Sequence, residues 1–245
     1  MERIRPLKQI YGDYTKDDFM VWKTLFNRQM ESINKYASVD YIKSLKDIGF
    51  TADKIPDFKE VNARLQKYTG WSLYSVPCIS PPAEFFQLLS EKKFTATCWL
   101  RSPAELDYIE EPDMFHDVFG HAPPLTNSDY CSFFKAMGDI AIKHINNENI
   151  ITMLQRLYWF TIEFGLISEN NEWKIYGAGI ISSKGETQNA LGHKAKKRPY
   201  NVAEIMQHAF RNDVIQEEYY VIDSFAQLKN SITQIEKEIE RQLGY

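Results

Sequence analysis

The stretch from residue 150 to residue 167 constrains the fold more than any other part of the sequence. It is the most apolar stretch of the chain, and the segment from Leu157 to Leu166 is apolar on nearly every side of the helix that it predicts. A helix that is apolar nearly all round is buried. Gln155, Arg156 and Glu163 interrupt the stretch, which makes it a poor transmembrane span. The sequence therefore predicts a buried helix in a globular protein with no membrane association.

The periodicity of the other segments predicts a mainly α fold with a few short β-strands (α+β). Thr15 and Asp18 resemble a capping box at the start of a first long helix. Further helices are predicted at Val39 to Leu45, Phe58 to Tyr68, from Ala83, Pro112 to Phe119, Tyr130 to Ile145, Ile150 to Leu166 and from Ser224, and strands at Phe94 to Leu100 and Trp173 to Tyr176. Gly177-Ala178-Gly179 is predicted to be a turn. The apolar residues of the last helix are expected to dock on their own domain.

The amino-acid composition limits which binding partners and which cellular compartment are expected. The chain has 29 basic and 33 acidic residues, a net charge of −4, which lacks the electrostatic signature of a nucleic-acid partner. Its three cysteines are an odd number without metal-type spacing, and the N-terminus has no apolar signal segment. Reduced thiols and a cytoplasmic location are therefore expected.

Two histidines, His116 and His121, stand five residues apart in the segment from Glu111 to His121. A five-residue step on a continuous α-helix would turn the second ring about 140° away from the first. Gly120 would allow the helix to end and the chain to turn His121 back beside His116, and Pro112 suits the first turn of such a helix. The alternative is two unrelated polar side chains at a helix end.

Glu163 is a carboxylate within the helix that is predicted to be buried, where an unpaired charge costs several kcal/mol. Arg156, two helical turns earlier on the same face, is one candidate partner. The other is a metal ion bound by Glu163, His116 and His121, a ligand set found in non-haem Fe(II) oxygenases and in some catalytic zinc sites. The ligands alone do not choose between iron and zinc. A zinc hydrolase is disfavoured because no glutamate follows the first histidine.

Several motifs in sequence order resemble those of the pterin-dependent aromatic amino acid hydroxylases. They are the stretch from Arg101 through Tyr108 and Glu111-Pro112-Asp113 to His121, the stretch from Tyr158 to Leu166, and the stretch from Tyr176 to Ser183. Val61-Asn62 and the segment from Tyr68 to Trp71 further resemble the compact bacterial phenylalanine 4-hydroxylases. The resemblance covers nearly the whole chain.

This resemblance implies an Fe(II)- and tetrahydropterin-dependent monooxygenase that uses O2 to hydroxylate L-phenylalanine at the para position, giving L-tyrosine. Its iron ligands would be His116, His121 and Glu163. The alternatives are a tryptophan or tyrosine hydroxylase on the same scaffold, or a non-catalytic metal-binding homologue. The expected partner is a small aromatic amino acid, with no nucleic acid and no membrane, and the protein is expected to be a monomer.

The resemblance also implies roles for six further residues. Arg101 would bind the α-carboxylate of the substrate, Trp159 would help to wall the aromatic pocket, and Ser182 would support an iron-ligand histidine. The positions beside the pterin would be Phe85, Asp117 and Tyr158. The alternatives are a surface ion pair for Arg101, a turn serine for Ser182, a helix-surface carboxylate for Asp117, and core aromatics for Phe85, Tyr158 and Trp159.

The sequence departs from the animal members of that family at several places. Ile109 stands where they have a threonine that helps to hold the substrate, and Asp117 stands where they have a glutamate. Between Phe210 and Glu218 the match is too loose to place the residues that discriminate phenylalanine from tyrosine. Residues 1–245 are expected to form a single catalytic domain, without the N-terminal regulatory domain or the C-terminal tetramerisation tail of the animal enzymes.

Overall fold

The computed structural model describes residues 4–244, and most of that span is helical. Within it lie eleven α-helices: α1 Lys16–Tyr36, α2 Val39–Ile48, α3 Phe58–Tyr68, α4 Pro82–Ser90, α5 Ser128–Lys143, α6 Glu148–Tyr158, α7 Ala178–Ile181, α8 Lys184–Leu191, α9 Val202–Gln207, α10 Phe225–Asn230 and α11 Ile232–Leu243. Short 3-10 helices span Tyr11–Asp13, Pro103–Glu105 and Pro123–Thr126, and π-helical segments span Phe115–Gly120 and Trp159–Glu163. No helix in this part of the chain has both the length and the apolar character needed to cross a bilayer.

The strands are short and form two small sheets. They are β1 Ser72–Ser75, β2 Lys93–Ala96, β3 Leu166–Glu169, β4 Glu172–Ile175, β5 Lys196–Pro199 and β6 Glu218–Ile222. β1 and β2 pair in parallel, and the second sheet has the order β4-β3-β6-β5. β3 and β4 form a hairpin whose two turn residues, Asn170 and Asn171, have positive φ, as a tight two-residue turn requires. The mainly α fold with a few strands is therefore confirmed.

The helix starts follow their predicted local chemistry. Thr15 and Asp18 form both halves of the capping box, because the Thr15 hydroxyl accepts from the Asp18 amide and the Asp18 carboxylate accepts from the Thr15 amide. α1 buries Trp22 completely against Phe115, with the ring centroids 5.5 Å apart. The first helix therefore packs directly on the segment that carries the two histidines.

α6 and the π-helical segment that follows it form the buried helix predicted for the apolar stretch. Ile150, Leu154 and Leu157 have no exposed surface. Each such side chain stabilises the fold by about 1.5–3 kcal/mol relative to an exposed position. Glu163 lies at the end of this buried helix, so the packing of the apolar residues fixes where its carboxylate enters the interior.

Two elements near the histidines differ from the prediction. The strand predicted at Phe94 to Leu100 ends at Ala96, because the amide and hydroxyl of Thr97 both donate to the Asp117 carboxylate instead of extending the sheet. Gly177-Ala178-Gly179 is not a turn: Gly177 caps α7, which starts at Ala178. A Cβ on Gly177 would lie 2.4 Å from the carbonyl oxygen of Glu163, so the glycine permits a close approach between the two segments.

The single terminal helix predicted from Ser224 is two helices, because the helix is interrupted at Ser231. The Ser231 hydroxyl donates to the Leu228 carbonyl at 2.7 Å and bonds to Tyr200, which competes with regular helical hydrogen bonding. The apolar residues nevertheless dock on the domain as predicted: Leu228, Ile235 and Ile239 are buried in the common core.

Candidate active site

The two histidines are brought together by a π-helical turn. Residues Phe115–Gly120 form this turn, and hydrogen bonding from i to i+5 places residues five apart on one face. His116 Nε2 and His121 Nε2 are 3.3 Å apart. The predicted proximity is confirmed, but the chain does not turn back after Gly120 as predicted: His121 keeps helical backbone angles, and the π-helical spacing itself brings the two rings together. Gly120 lacks a side chain for another reason, since a Cβ there would lie 3.0 Å from that of Ala178.

A second π-helical turn aims Glu163 at the same point. The amide of Phe164 donates to the carbonyl of Trp159, five residues earlier, at 2.9 Å. This geometry puts Tyr158 and Glu163 on one face, where the tyrosine hydroxyl donates to Glu163 Oε1 at 2.8 Å. Glu163 Oε1 lies 3.0 Å from His121 Nε2, and Oε2 lies 3.6 Å from His116 Nε2.

These three side chains fit a metal ion. One ligand atom from each of His116, His121 and Glu163 lies within 4.8 Å of the other two. Two imidazole nitrogens and one carboxylate oxygen occupy one side of an ion and leave other coordination positions open, as in catalytic iron and zinc sites. Arg156, the alternative partner of Glu163, instead donates to the carbonyl of Met206 at 2.9 Å.

The electrostatics of the cluster keep the carboxylate ionised. Burial alone would raise the pKa of the Glu163 carboxyl, but the nearby His121 and His116 outweigh it and hold that pKa well below its ordinary value. Burial likewise opposes charge on His116, and the Glu163 carboxylate reverses the effect and raises the pKa of that imidazole. An anionic carboxylate facing two imidazoles is the state that a cation would meet.

The orientation of His116 is set by Ser182. His116 Nδ1 lies 2.9 Å from Ser182 Oγ, and that hydroxyl donates to the carbonyl of Ala178 at 2.8 Å. Because the hydroxyl hydrogen is used by Ala178, the serine oxygen accepts a hydrogen bond from the Nδ1–H of His116. In the neutral imidazole Nε2 then carries no proton and is free to bind a metal ion. Gln29, itself buried, donates to the Ile181 carbonyl at 2.6 Å and anchors the end of α7 beside Ser182.

Arg101 is a buried guanidinium and not a member of a surface ion pair. It is 7% exposed, and Nε and Nη2 each donate to the fully buried Asp113 at 2.9 Å. The same carboxylate accepts from the amide of His116 at 3.2 Å, so Arg101 and the first histidine share one anchor. The guanidinium keeps further N–H groups, and it lines the cavity described next.

A cavity of about 950 Å³ joins these groups. Its wall includes all nine of the residues singled out in the sequence: Phe85, Arg101, His116, Asp117, His121, Tyr158, Trp159, Glu163 and Ser182. Ile109 also lines it. Asp117 is buried, so a helix-surface position is wrong for this residue, and burial raises the pKa of its carboxyl. Phe85 meets Tyr158 edge to face, with the centroids 5.2 Å apart.

The indole of Trp159 forms an aromatic wall with residues that the sequence did not identify. It stacks on Phe210 at a centroid distance of 4.4 Å and lies 4.6 Å from Phe164. Its Nε1 donates to Gln216 Oε1 at 3.0 Å. Phe210 and Gln216 belong to the segment where the family resemblance is loose, and they are far along the chain from Trp159, so no spacing rule could have found them.

Comparison with known proteins agrees with this geometry. The family model described as "Biopterin-dependent aromatic amino acid hydroxylase" matches residues 5–245. The chain is 40% identical to phenylalanine-4-hydroxylase of Chromobacterium violaceum over 223 residues, which cover 91% of this chain and 75% of that protein. It is 39% identical to phenylalanine-4-hydroxylase of Vibrio cholerae, with 88% and 74% of the two chains covered.

Solved structures are similar over nearly the same span. The crystal structure of Chromobacterium violaceum phenylalanine hydroxylase with bound oxidised Fe(III) has a TM-score of 0.90 and 37% identity, over 95% of this chain and 85% of that chain. The structure of the same protein with bound iron(III) and the oxidised cofactor 7,8-dihydrobiopterin has a TM-score of 0.87 and 36% identity, over 94% and 84% of the two chains.

Proposed function

This chain belongs to the biopterin-dependent aromatic amino acid hydroxylase family, and from that membership we propose that it is an Fe(II)- and tetrahydropterin-dependent phenylalanine 4-monooxygenase. The relatives named phenylalanine-4-hydroxylase, and the solved structures that hold iron and dihydrobiopterin, support this activity. The observation that carries the proposal is the convergence of His116, His121 and Glu163 in the wall of a cavity that Arg101 and Trp159 also line.

We infer that His116, His121 and Glu163 hold the iron. When bound, iron and the tetrahydropterin together supply the activation of O2 that an aromatic ring needs before it can be hydroxylated. These three residues would hold the ion, and the cavity that they line would give substrates access to it. Tyr158 orients the Glu163 carboxylate through its hydroxyl, and Ser182 fixes the proton of His116 on Nδ1.

We infer that Arg101 binds the α-carboxylate of phenylalanine. A guanidinium presents paired N–H donors that match a carboxylate. Asp113 holds Arg101 through two hydrogen bonds and prevents it from swinging into solvent. The substrate ring would then lie against the indole of Trp159, so the carboxylate contact and the aromatic wall together aim the ring.

The pterin is expected to lie on the side of the cavity formed by Phe85, Asp117 and Tyr158. Phe85 offers a flat ring for a flat cofactor. Asp117 is held in place by Thr97 at 2.7 and 2.8 Å, and it contributes a polar group that is already ordered. No reorganisation of this carboxylate would be needed when a ligand arrives.

We also propose a monomeric, cytoplasmic protein whose residues 1–245 act as one catalytic domain. The unpaired state of Cys78, Cys98 and Cys131 supports a reducing compartment. Size-exclusion chromatography with light scattering tests the monomer, and fractionation of cells that express the chain tests the location.

The test of the activity uses the purified full chain freed of metal. Fe(II), a reduced pterin and one of phenylalanine, tyrosine or tryptophan are added, and the products are identified by mass. We expect tyrosine from phenylalanine, with pterin oxidation and O2 uptake that require added iron. A preference for tyrosine or tryptophan would identify another hydroxylase of the family, and iron binding without pterin-dependent O2 uptake would indicate a non-catalytic homologue.

A further inference from the structure

The segment from Phe210 to Gln216 forms part of the cavity wall. The side chain of Gln216 folds back on this segment and holds its shape through hydrogen bonds. Gln216 is 7% exposed. Its amide nitrogen donates to the carbonyl oxygens of Arg211 at 2.9 Å and Val214 at 3.0 Å, and its amide oxygen accepts from Trp159 Nε1 at 3.0 Å. Both donors and one acceptor of the amide are therefore used inside the wall.

The backbone of Gln216 is fixed from outside the segment. Its amide donates to Glu186 Oε1 at 3.0 Å, and its carbonyl accepts from Asn189 Nδ2 at 2.7 Å. Glu186 also accepts from the hydroxyl of Tyr219. Residues of α8 and β6 thus hold the backbone of Gln216 in place. Its side chain extends inward from there to the indole of Trp159.

The indole of Trp159 needs two kinds of restraint, and Gln216 supplies one of them. Phe210 stacks on the indole with an angle of 14° between the planes, which sets the tilt of the ring. Because the indole is attached through Cβ, it moves within its plane only by small changes in χ1 and χ2, and stacking does not oppose such a movement. The Nε1–H group lies in that plane, so its hydrogen bond to Gln216 restrains the in-plane orientation of the ring.

We propose that Gln216 is a positioning residue for the substrate ring: it fixes the in-plane orientation of Trp159 and the shape of the 210–216 segment against which phenylalanine packs. The inference rests on the proposed function. A ring that meets a loose wall is held less tightly and is aimed less well at the metal. Gln216 therefore contributes to the binding of phenylalanine and to the fraction of pterin oxidation that yields tyrosine.

The contacts call for an amide at this position. Glutamate would keep an acceptor for Trp159, but an ionised carboxylate cannot donate to the Arg211 and Val214 carbonyls. Methionine has a similar length and shape and makes neither set of strong hydrogen bonds. Gln207, the exposed last residue of α9, provides a matched control for the same change of side chain.

The experiment compares Gln216→Met with wild type and with Gln207→Met, each loaded with iron. Loss of the buried hydrogen bonds is expected to raise the KM for phenylalanine about three- to tenfold. The tyrosine formed per pterin oxidised should fall, while the KM for the pterin and the iron content should stay within about twofold of wild type. Gln207→Met should match wild type in all four measurements, with thermal unfolding recorded for each variant.

A double-mutant cycle with Trp159→Phe separates positioning from general stability. The phenyl ring has no N–H, so the Gln216 contact is already lost in Trp159→Phe. The KM of the double variant should then lie within about twofold of the worse single variant. Independent, multiplying effects would overturn the inference, as would an unchanged KM and tyrosine yield in Gln216→Met.

Two further outcomes are covered by the same design. If Gln216→Met does not fold, Gln216→Glu replaces it, and it is expected to shift the KM and the tyrosine yield in the same direction. If wild type forms no hydroxylated product, the proposed function is refuted, and the cycle is read from phenylalanine binding by calorimetry. Additive effects on that binding would refute the role of Gln216 as well.

Discussion

Removal of the Ser182 hydroxyl should weaken metal binding without unfolding the protein. His116 Nδ1 lies 2.9 Å from Ser182 Oγ, which is itself tied to the carbonyl of Ala178 at 2.8 Å. In Ser182→Ala this acceptor is gone, so nothing fixes the proton on Nδ1 or the ring angle at which Nε2 faces Glu163. The apo-protein loses both hydrogen bonds of the Ser182 hydroxyl at a partly exposed position where water can replace them, a change of about 1 kcal/mol in the free energy of unfolding.

The expected effect on metal affinity is larger than the effect on stability. Groups that orient a ligating histidine typically contribute tenfold to hundredfold in affinity. That range corresponds to about 1.4–2.7 kcal/mol of binding free energy. Because the other two ligands are untouched, Ser182→Ala should still bind one ion per chain, with an Fe(II) or Co(II) dissociation constant raised by that factor.

The assay is competition for the metal between the protein and a chromophoric chelator. Ser183→Ala is the matched control, since the neighbouring hydroxyl caps α8 by accepting from the amide of Glu186 at 3.3 Å. Loss of that cap should lower the free energy of unfolding by about 0.5–2 kcal/mol and leave the metal dissociation constant unchanged. Equal metal affinity in Ser182→Ala and wild type would refute the reasoning about the histidine proton.

Three other perturbations test separate parts of the structure. Arg101→Ala should raise the KM for the amino acid far more than the KM for the pterin in steady-state assays, and equal effects would remove its carboxylate role. Hydrogen bonds, first of all from Arg198, lower the pKa of Glu218 from 4.5 to about 2. This carboxylate thus stabilises the fold above pH 4.5, and the stabilisation is lost as the pH falls towards 2. Glu218→Gln should therefore lower the free energy of unfolding by about 1 kcal/mol at neutral pH, and the difference should shrink on acidification in denaturant titrations. Gly165→Ala would place a Cβ 2.1 Å from a buried tyrosine hydroxyl and should destabilise by about 3 kcal/mol. Gly185→Ala, in α8, would bring a Cβ only into ordinary van der Waals contact, 3.7 Å from Ile215, and should be neutral or stabilising. Thermal unfolding of the two variants measures the difference.

The regular helices could be predicted because their causes are local. Side chains a few residues apart determine three of the predicted features: the capping box at Thr15, the helix Phe58–Tyr68 and the burial of the helix before Glu163. The break at Ser231 could not be predicted in the same way. It depends on a hydrogen bond to Tyr200, which is distant in the sequence and reaches Ser231 only when the chain is folded.

The π-helical turns show where periodicity rules fail. An apolar period of about 3.6 residues predicts an α-helix and no other type of helix. A spacing of five between His116 and His121 therefore predicted that the chain turns after Gly120. The structure instead widens the helix at both segments that carry the candidate ligands. The same widening brings Tyr158 to Glu163, five residues on. Such turns are held by tertiary packing, because they lack the local preference of an α-helix.

The sequence by itself determined the helical periodicity, the family and the three candidate metal ligands, because these depend on residue type and order along the chain. Only the tertiary structure decided how the ligands meet, which residue fixes the proton of His116, and which side chains hold Trp159. Gln216 lies 57 residues from Trp159 in the sequence. A hydrogen bond between them exists because the buried chain brings together groups that no short-range pattern relates, and burial makes each such contact specific.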